Sequence, residues 1–203
     1  MHGGKLLVAT SNAGKIAEFR ELAGRAGGAW QVEPLPGFGR ISAYDESAET
    51  FAENAAGKAE HYSRGNPEWV MADDSGLVVP ALGGEPGVRS SRYAGPECDA
   101  RKNTAKLLAA MKGLSGGGRA ARFVCVLALA REGRVAAVFS AEVAGRILDS
   151  PRGAGGFGYD PVFYFEAAGK TFAELAAAEK NRVSHRGRAF EKLTRYLAGT
   201  EKG

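Results

Sequence analysis

The sequence predicts an α/β fold with a mixed β-sheet flanked by helices. Short apolar runs typical of buried strands alternate with stretches whose apolar residues recur at helical spacing, which indicates strand–helix units. Farther along the chain, two apolar runs joined by Glu132-Gly133 indicate an antiparallel hairpin. Because strand–helix units favour parallel strands and a hairpin requires antiparallel ones, the sheet is expected to be mixed.

The first part of the chain supplies the strand–helix units. Thr50 and Glu53 form a capping box, in which an N-cap threonine is followed three residues later by glutamate. The segment Asp73-Asp74-Ser75-Gly76 interrupts an apolar run and predicts a turn at a strand end. The predicted elements are a strand at 5–9, a helix at 14–26, a strand at 30–35, a helix at 50–64, a strand at 69–72 and extended chain at 77–79.

The second part of the chain alternates between elements and glycine-rich segments. Asp99 and Ser184 are predicted N-caps, and Thr171 with Glu174 forms a second capping box. The glycine-rich segments at 81–95, 115–118 and 153–158 predict loops and turns. The predicted elements are a helix at 99–111, strands at 123–130 and 135–143, a helix beginning at 171 and a last helix after 184.

Composition narrows the class of protein. With 44% apolar residues and no domain-scale linker, residues 1–203 are expected to form a single domain with a substantial core. No apolar run approaches the roughly 20 residues that span a bilayer. Cys98 and Cys125 lack metal-ligand spacing, and Cys125 lies in an apolar run, so we expect reduced thiols and a cytoplasmic protein.

Charge is distributed in two clusters. The net charge of +4 is mild, and the basic C-terminal helix lacks the interleaved aromatic residues typical of nucleic-acid binding. A cluster of acidic residues that binds a cation and a cluster of basic residues that binds an anion would instead suit a ligand made of a metal ion and a polyphosphate. The acidic cluster is Asp45, Glu46, Glu49 and Glu53, and the basic cluster is Lys180, Arg182, Arg186, Arg188, Lys192 and Arg195.

Asp73 and Asp74 are candidate catalytic residues. Side chains alternate along a strand, so two neighbouring carboxylates can serve different partners. One of them can bind a hard cation and orient water, because Mg²⁺ is satisfied by one or two carboxylates together with waters and phosphate oxygens. An ordinary strand end followed by a turn is the alternative.

The segment 10–15, Thr-Ser-Asn-Ala-Gly-Lys, joins a strand to a helix and is a candidate phosphate site. Helix N-terminal amides attract phosphate, Gly14 permits close approach of the backbone, and Lys15 adds a positive charge. The segment is not a Walker A loop, which needs a different glycine spacing. A capped helix start with a solvated lysine is the alternative.

Two later segments are suited to binding a base. Phe157 is flanked by glycines and can present its ring face for stacking, and Asp160 is held extended by the proline that follows it. Lys180, His185 and Arg186 lie around a predicted helix start and form a cluster suited to anions and carbonyl groups.

Six segments, taken in order, resemble the inosine triphosphate pyrophosphatase family. They span nearly the whole chain, and their joint order is far more specific than any one of them. The segments are Thr-Ser-Asn-x-x-Lys (10–15), Thr-Phe-x-Glu-Asn-Ala (50–55), Ala-Asp-Asp-Ser-Gly-Leu (72–77), Gly-Gly-x-Pro-Gly-x-x-Ser-x-Arg-Tyr (83–93), Gly-Gly-Phe-Gly-Tyr-Asp-Pro (155–161) and Ser-His-Arg (184–186).

The resemblance implies a two-lobed fold of the ITPase-like, Maf-related (anticodon-binding-like) architecture around a long mixed sheet, with the nucleotide in the cleft between the lobes. It implies a homodimer that uses Mg²⁺ to hydrolyse ITP, dITP and XTP, which carry deaminated purines, to the monophosphate and pyrophosphate. The implied partner is the purine nucleoside triphosphate, with neither a nucleic acid nor a membrane.

The resemblance also implies roles for individual residues. Asp74 resembles the general base and a metal ligand, Asp73 supports it, and Lys58 lies near the phosphates. Asp45 or Glu46 is expected as a further metal ligand. The expected substrate-binding residues are Thr10, Ser11, Asn12, Ala13, Gly14, Lys15, Ser75, Phe157, Gly158, Tyr159, Asp160, Lys180, His185 and Arg186.

Two positions depart from the family pattern. Asp45-Glu46-Ser47-Ala48 stands where Glu-Glu-Thr-Gly is common, and the shorter aspartate leaves open which of the two acids reaches the metal. Ser11 stands where glycine is common, and it adds a Cβ and a hydroxyl beside the phosphates.

Three other functions are weighed against this one. The nearest is a related pyrophosphatase acting on pyrimidine or modified nucleotides. The second is a nucleotide-sensing module without turnover, which a pyrophosphate-release assay distinguishes. The third is an RNA-binding protein that uses the basic C-terminal helix, for which binding would depend steeply on salt.

Overall fold

The computed structural model describes residues 4–200, which form a mixed seven-stranded sheet with helices. The strands are β1 (Gly4–Val8), β2 (Trp30–Pro34), β3 (Trp69–Val78), β4 (Ala120–Arg131), β5 (Arg134–Ile147), β6 (Phe163–Phe165) and β7 (Lys170–Thr171). The helices are α1 (Ala13–Arg25), α2 (Phe51–Ser63), α3 (Ala100–Ala110), α4 (Ala177–Val183) and α5 (His185–Thr200).

The sheet has the strand order β2-β1-β3-β4-β5-β6-β7. β1 pairs in parallel with β2 and β3, whereas β6 pairs antiparallel with β5 and β7. The α/β class and the mixed sheet predicted from the sequence are therefore confirmed.

Local sequence signals account for several element boundaries. Helix α2 begins after Thr50, whose hydroxyl accepts the backbone N–H of Glu53 at 3.2 Å. Helix α3 begins after Asp99, whose carboxylate accepts the N–H groups of the next turn. Glu132 and Gly133 have positive φ values of 52° and 75°, as a two-residue hairpin turn requires.

The predicted turn at Asp73-Asp74-Ser75-Gly76 is wrong. Strand β3 continues through these residues to Val78, and both carboxylates and Gly76 are buried. The Asp-Ser-Gly sequence favours a turn only locally, and a strand held within a sheet overrides this preference. Ser90 supports the continued strand, because its hydroxyl accepts the N–H of Leu77 at 2.9 Å.

Three other segments differ from expectation in detail. The capping box at Thr171 forms, but the helix it starts is a single 3₁₀ turn, Phe172–Glu174, and α4 begins separately. The expected loop at 81–95 contains 3₁₀ turns at Pro80–Leu82 and Gly87–Arg92, and the glycine turn at 115–118 is part of another at Gly116–Arg119. A 3₁₀ turn has few backbone hydrogen bonds and is too short to produce a periodic pattern of apolar residues. The sequence therefore gives little indication of it.

The first of two compact units contains the chain up to Asp74, residues 125–141 and the chain from Arg186 onward. Its core is built from β1, β2, β3, β4 and the inner faces of α1 and α5. The rings of Phe19 and Phe190 lie 5.6 Å apart. The buried members predicted for the last helix, Ala189, Phe190, Leu193 and Leu197, are all in this core.

The second compact unit contains residues 75–124 and 142–185. Phe123 packs against Phe163, with ring centroids 4.5 Å apart, and stacks on His185 at 4.7 Å. Arg119 is buried, and its guanidinium donates to the carbonyls of Ile147 and Leu148 at 2.7 and 2.8 Å. These bonds offset the cost of burying the charge.

The register of the parallel strands places two predicted site segments side by side. Val8 at the end of β1 lies opposite Met71 of β3, and the N–H of Ala9 donates to the Met71 carbonyl at 2.9 Å. The loop that follows β1 and the Asp73-Asp74 pair within β3 therefore lie side by side, near the carboxyl end of β1, where parallel α/β sheets place ligands.

Two expectations from composition can be compared with the structure. Within residues 4–200, no helix has the length and apolar character needed to span a membrane. Cys125 is a buried free thiol, as predicted, and Cys98 is an exposed free thiol. Burial raises the pKa of Cys125 to about 12, so this thiol is not a nucleophile at neutral pH.

Replacing Phe190 with alanine is expected to lower the free energy of unfolding by about 3–5 kcal/mol. Phe190 is 1% exposed and contacts Phe19, so truncation leaves a cavity in the core of the first unit. Urea unfolding followed by circular dichroism measures the loss. Val138, which is 45% exposed, provides the control, since Val138→Ala should cost less than about 1 kcal/mol. Equal losses would contradict the core assignment.

Candidate functional site

Helix α1 presents an N-terminus suited to an anion. The carboxamide of Asn12 caps the helix by accepting the N–H of Lys15 at 3.1 Å, and the Thr10 hydroxyl accepts the N–H of Asn12 at 3.2 Å. No acidic residue lies in the first turn. Ser11, Asn12 and Ala13 are exposed, while Gly14 is half-buried. The first N–H groups of the helix are thus held in an orderly loop that an anion can reach.

The side chain of Lys15, in the first turn of α1, extends to Asp73 in the middle of β3. Its ammonium lies 3.1 and 2.9 Å from the two carboxylate oxygens of Asp73. Arg186 at the start of α5 lies 3.9 Å from the same carboxylate and donates to Glu18 at 2.5 Å. Burial alone would raise the pKa of Asp73, but the charges of Lys15 and Arg186 outweigh it and lower the pKa to about 2.

Asp74 meets a different set of partners. Its Oδ1 lies 3.8 Å from the ammonium of Lys58, which in turn lies 3.3 Å from Glu46. Its Oδ2 is buried and has no hydrogen-bond partner within the described residues. Burial raises the pKa of Asp74 from 3.8 to about 6; Lys58 opposes this shift and Glu46 adds to it. Adjacent carboxylates with pKa values driven apart are the arrangement expected when one acts as a base.

The structure distinguishes between the two candidate metal-binding acids. Glu46 is half-buried and contacts Lys58, whereas Asp45 is exposed. Among residues 4–200, no group of three or more acidic, histidine or cysteine side chains is placed to hold a metal ion. Glu46 and Asp74 therefore offer a partial ligand set, and the remaining positions would fall to water or phosphate oxygens, as is usual for Mg²⁺.

The second unit contains the residues predicted to bind a base except Arg186, which belongs to the first unit. Asp160 accepts the N–H of Phe157 at 2.8 Å and the ammonium of Lys180 at 2.6 Å. The same ammonium lies 4.8 Å from the centre of the Phe157 ring. Gly156 has a φ of 69°, and a Cβ there would overlap the Asp160 carboxylate. The glycine-rich segment can therefore close tightly around Asp160 and leave the Phe157 ring half-buried.

The remaining predicted residues occupy distinct places. His185 stacks on Phe123 with an angle of 9° between the rings, which fixes its orientation. Tyr159 is buried and donates its hydroxyl to the Ser90 carbonyl at 2.8 Å. Gly158 has a φ of 62°, and Ser75 is half-buried in β3. Ser184 lies in extended conformation between α4 and α5, directly before the helix it was predicted to start.

Sequence reasoning missed Glu18, which pairs with Arg186. Glu18 follows Lys15 by three residues and shares its helix face, but this spacing does not indicate the pairing with Arg186. It also missed Phe123, which supports His185. Neither residue belongs to a recognisable local motif, so only long-range packing identifies them.

Known proteins of one family resemble this chain along nearly its whole length. A model described as the Ham1 family matches residues 6–196. A dITP/XTP pyrophosphatase of Geobacillus kaustophilus is 51% identical over 189 residues, covering 93% of this chain and 92% of that protein. One from Thermus thermophilus is 47% identical over 193 residues, covering 95% of this chain and 91% of that protein.

Solved structures share this fold over nearly the whole length of the chain. The Ham1 protein of Staphylococcus aureus has a TM-score of 0.84 at 36% identity and covers 97% of this chain and 99% of its own. A nucleoside-triphosphatase / dITP/XTP pyrophosphatase of Mycobacterium abscessus has a TM-score of 0.70 at 39% identity, covering 93% of this chain and 97% of its own.

In metal-free protein, Asp74 is expected to titrate near pH 6. The folded state then holds this proton more tightly than the unfolded state, so the free energy of unfolding falls as pH rises from about 4 to about 6 and stays lower above that. Over this pH range the free energy of unfolding falls by about 3 kcal/mol at most. Carbon-13 NMR of the carboxyl group measures the pKa in protein treated with EDTA.

Asp74→Asn should flatten the stability–pH curve between pH 4 and 6, because asparagine stays neutral throughout. Glu49→Gln, which alters an exposed carboxylate in the loop before α2, should keep the wild-type curve. An Asp74 carboxyl that titrates at or below pH 4 would rule out the environment described for it.

Proposed function

Because this chain belongs to the Ham1 family, we propose that it hydrolyses the nucleoside triphosphates of deaminated purines, ITP, dITP and XTP, to the monophosphate and pyrophosphate. The observation that carries the proposal is the divergence of two adjacent carboxylates. Asp73 is neutralised by Lys15 and Arg186, whereas Asp74 has a raised pKa and an oxygen without a hydrogen-bond partner in the described chain. The names of the relatives, dITP/XTP pyrophosphatase, support dITP and XTP as substrates.

The first unit would handle the triphosphate. The N-terminal amides of α1 and the Lys15 ammonium bind phosphate oxygens. Asp74 accepts a proton from a water molecule, whose oxygen forms a bond to the α-phosphorus while the bond to the bridging oxygen of the β-phosphate breaks. The pyrophosphate leaves as one product, and Lys58 stabilises the negative charge near Asp74. In metal-free protein, a pKa near 6 leaves Asp74 mostly ionised at neutral pH and so available as a base or as an oxygen ligand.

A divalent cation fits the charge of this cluster. The described side chains around β3 include three cations, Lys15, Lys58 and Arg186, and four carboxylates, Glu18, Glu46, Asp73 and Asp74, which leaves a net negative charge. A triphosphate would be repelled unless positive charge is added. Asp74 and Glu46 are the residues that would hold Mg²⁺, and the ion would neutralise phosphate charge during the displacement.

The second unit would recognise the base. Phe157 stacks on the purine, and Lys180, Asp160 and His185 line its edge, with Arg186 as a further base-reading candidate. Hypoxanthine and xanthine present a carbonyl at position 6 and an N–H at position 1, whereas adenine presents the opposite pattern. Donors aimed at the carbonyl would be left unsatisfied by adenine, which discriminates strongly. Tyr159, Gly158 and Ser75 complete the proposed substrate contacts.

The assembly and the location are part of the proposal. A homodimer rests on the family resemblance, and sedimentation equilibrium would measure it. Two free cysteines, one of them exposed, suit a reducing compartment, so we propose the cytoplasm.

The purified protein is expected to release pyrophosphate from ITP, dITP and XTP with Mg²⁺, and to act far more slowly on ATP, dATP and pyrimidine triphosphates. Quenched time points should contain monophosphate and no diphosphate. Asp74→Asn should lower kcat by at least about 10²–10⁴-fold, because it removes a general base. Preference for a pyrimidine triphosphate would support the alternative substrate class, and accumulation of IDP would contradict the single-step reaction.

Substitution of Arg186 distinguishes two possible roles of this residue, recognition of the purine base and stabilisation of the Asp73 carboxylate. If Arg186 donates to the 6-carbonyl, Arg186→Ala should narrow the ratio of kcat/KM between ITP and ATP by roughly 10- to 150-fold. Phe157→Ala should instead lower kcat/KM for both nucleotides together, because stacking does not distinguish purines. Equal losses for ITP and ATP in Arg186→Ala would assign Arg186 to Asp73 and the phosphates, in keeping with its contacts to Glu18 and Asp73.

A further inference from the structure

Helix α2 contacts residues 44–48, called the acidic loop below, at three evenly spaced positions. Asn54 bonds both the N–H and the carbonyl of Ala48, each at 3.2 Å. One turn later, Lys58 contacts Glu46 at 3.3 Å. One further turn along, the Tyr62 hydroxyl accepts the N–H of Tyr44 at 3.1 Å. Steps of four residues on the helix are thus matched by steps of two residues on the loop.

Geometry explains the match. Four helical residues rise about 6 Å, and two residues of extended chain advance about 6.6 Å. Residues 44–48 therefore run antiparallel to α2 with every second residue facing it. Burial follows the same period, because Tyr44, Glu46 and Ala48 are half-buried while Asp45 and Ser47 are exposed.

Asn54 is suited to holding this register. It is fully buried, and its carboxamide uses one donor and one acceptor on a single loop residue, so a shift of the loop by one position would break both bonds. Gly57 adds a steric constraint, since a Cβ at this position would overlap the hydroxyl of Tyr44. His61 supports the start of the loop by donating to the Ser42 carbonyl at 2.7 Å.

We propose that Asn54 and Tyr62 are positioning residues that fix the register of residues 44–48 on α2 and thereby bring Glu46, rather than Asp45, to Lys58 and Asp74. A slip of one residue would turn Glu46 outward and Asp45, one methylene shorter, inward. The inference rests on the proposed function only in that Glu46 serves a divalent cation.

The test uses Mn²⁺ alone as the probe, with the free ion measured by electron paramagnetic resonance and no nucleotide present. Asn54→Ala is expected to weaken Mn²⁺ binding about 10-fold or more, the usual effect of removing a residue that orients a metal ligand. Amide hydrogen exchange at Ala48 should accelerate in the same variant, because its hydrogen bond is lost.

The chain supplies a matched control in the second unit. Asn103 is likewise buried, accepting the N–H of Ala94 at 2.6 Å and donating to the carbonyl of Ser91 at 2.7 Å. Asn103→Ala removes the same kind of clamp away from the acidic loop, and Mn²⁺ affinity should stay within about twofold of wild type. Equal weakening in Asn54→Ala and Asn103→Ala would show a general loss of stability and overturn the inference.

A double-mutant cycle tests whether Asn54 acts through Glu46. In a Glu46→Gln background, Asn54→Ala should change Mn²⁺ affinity by no more than about twofold, because the positioned group is already absent. A full effect of about 10-fold in that background, or an unchanged affinity in Glu46→Gln itself, would overturn the inference. Should Asn54→Ala fail to fold, Tyr62→Phe, which removes only a hydroxyl, enters the same cycle with the same criteria.

Failure of the inference is distinguishable from failure of the proposed function. Pyrophosphate release by the wild-type protein reports on the function without reference to Asn54. Coupling between Asn54 and Glu46 in Mn²⁺ binding would uphold the positioning role even if no nucleotide were hydrolysed.

Discussion

The continuation of β3 through Asp73 and Asp74 is the constraint on which the site depends. If the chain turned at these residues, the two carboxylates would be free to face the same partners. Because the strand continues, successive side chains point to opposite sides. Asp73 then meets Lys15 and Arg186, and Asp74 meets Lys58 and Glu46. One backbone conformation thus produces one stable carboxylate and one carboxylate with a raised pKa.

Each positively charged partner of these carboxylates is placed by a different helix. Lys15 comes from the first turn of α1, Lys58 from the middle of α2 and Arg186 from the start of α5. Helix starts depend on local caps, so these positions are fixed by the chain immediately around them. The parallel pairing of β1 with β3 then brings the start of α1 beside the part of β3 that carries the carboxylates. Local capping and long-range strand pairing therefore act together at this site.

Much of this was predictable because its signals are local. Thr50, Asp99 and the Glu132-Gly133 turn act within a few residues, and each forms as expected. The proposed phosphate loop, residues 10–15, and the two candidate catalytic aspartates were selected by residue type and order. By contrast, Glu18 and Phe123 carry no local signal, since their importance comes from partners far away in the sequence. The turn at Asp73 was predicted wrongly for the same reason, as sheet pairing overrode a local preference.

The sequence by itself determined the α/β class, the starts of α1, α2, α3 and α5, and the chemical types available to the site, because these follow from periodicity, caps and composition. The tertiary structure alone decided which member of each acidic pair takes which place. Asp74 rather than Asp73 has the raised pKa, and Glu46 rather than Asp45 reaches Lys58. Neighbouring acids have nearly the same local preferences, so only burial, strand alternation and the register of the loop along α2 distinguish them.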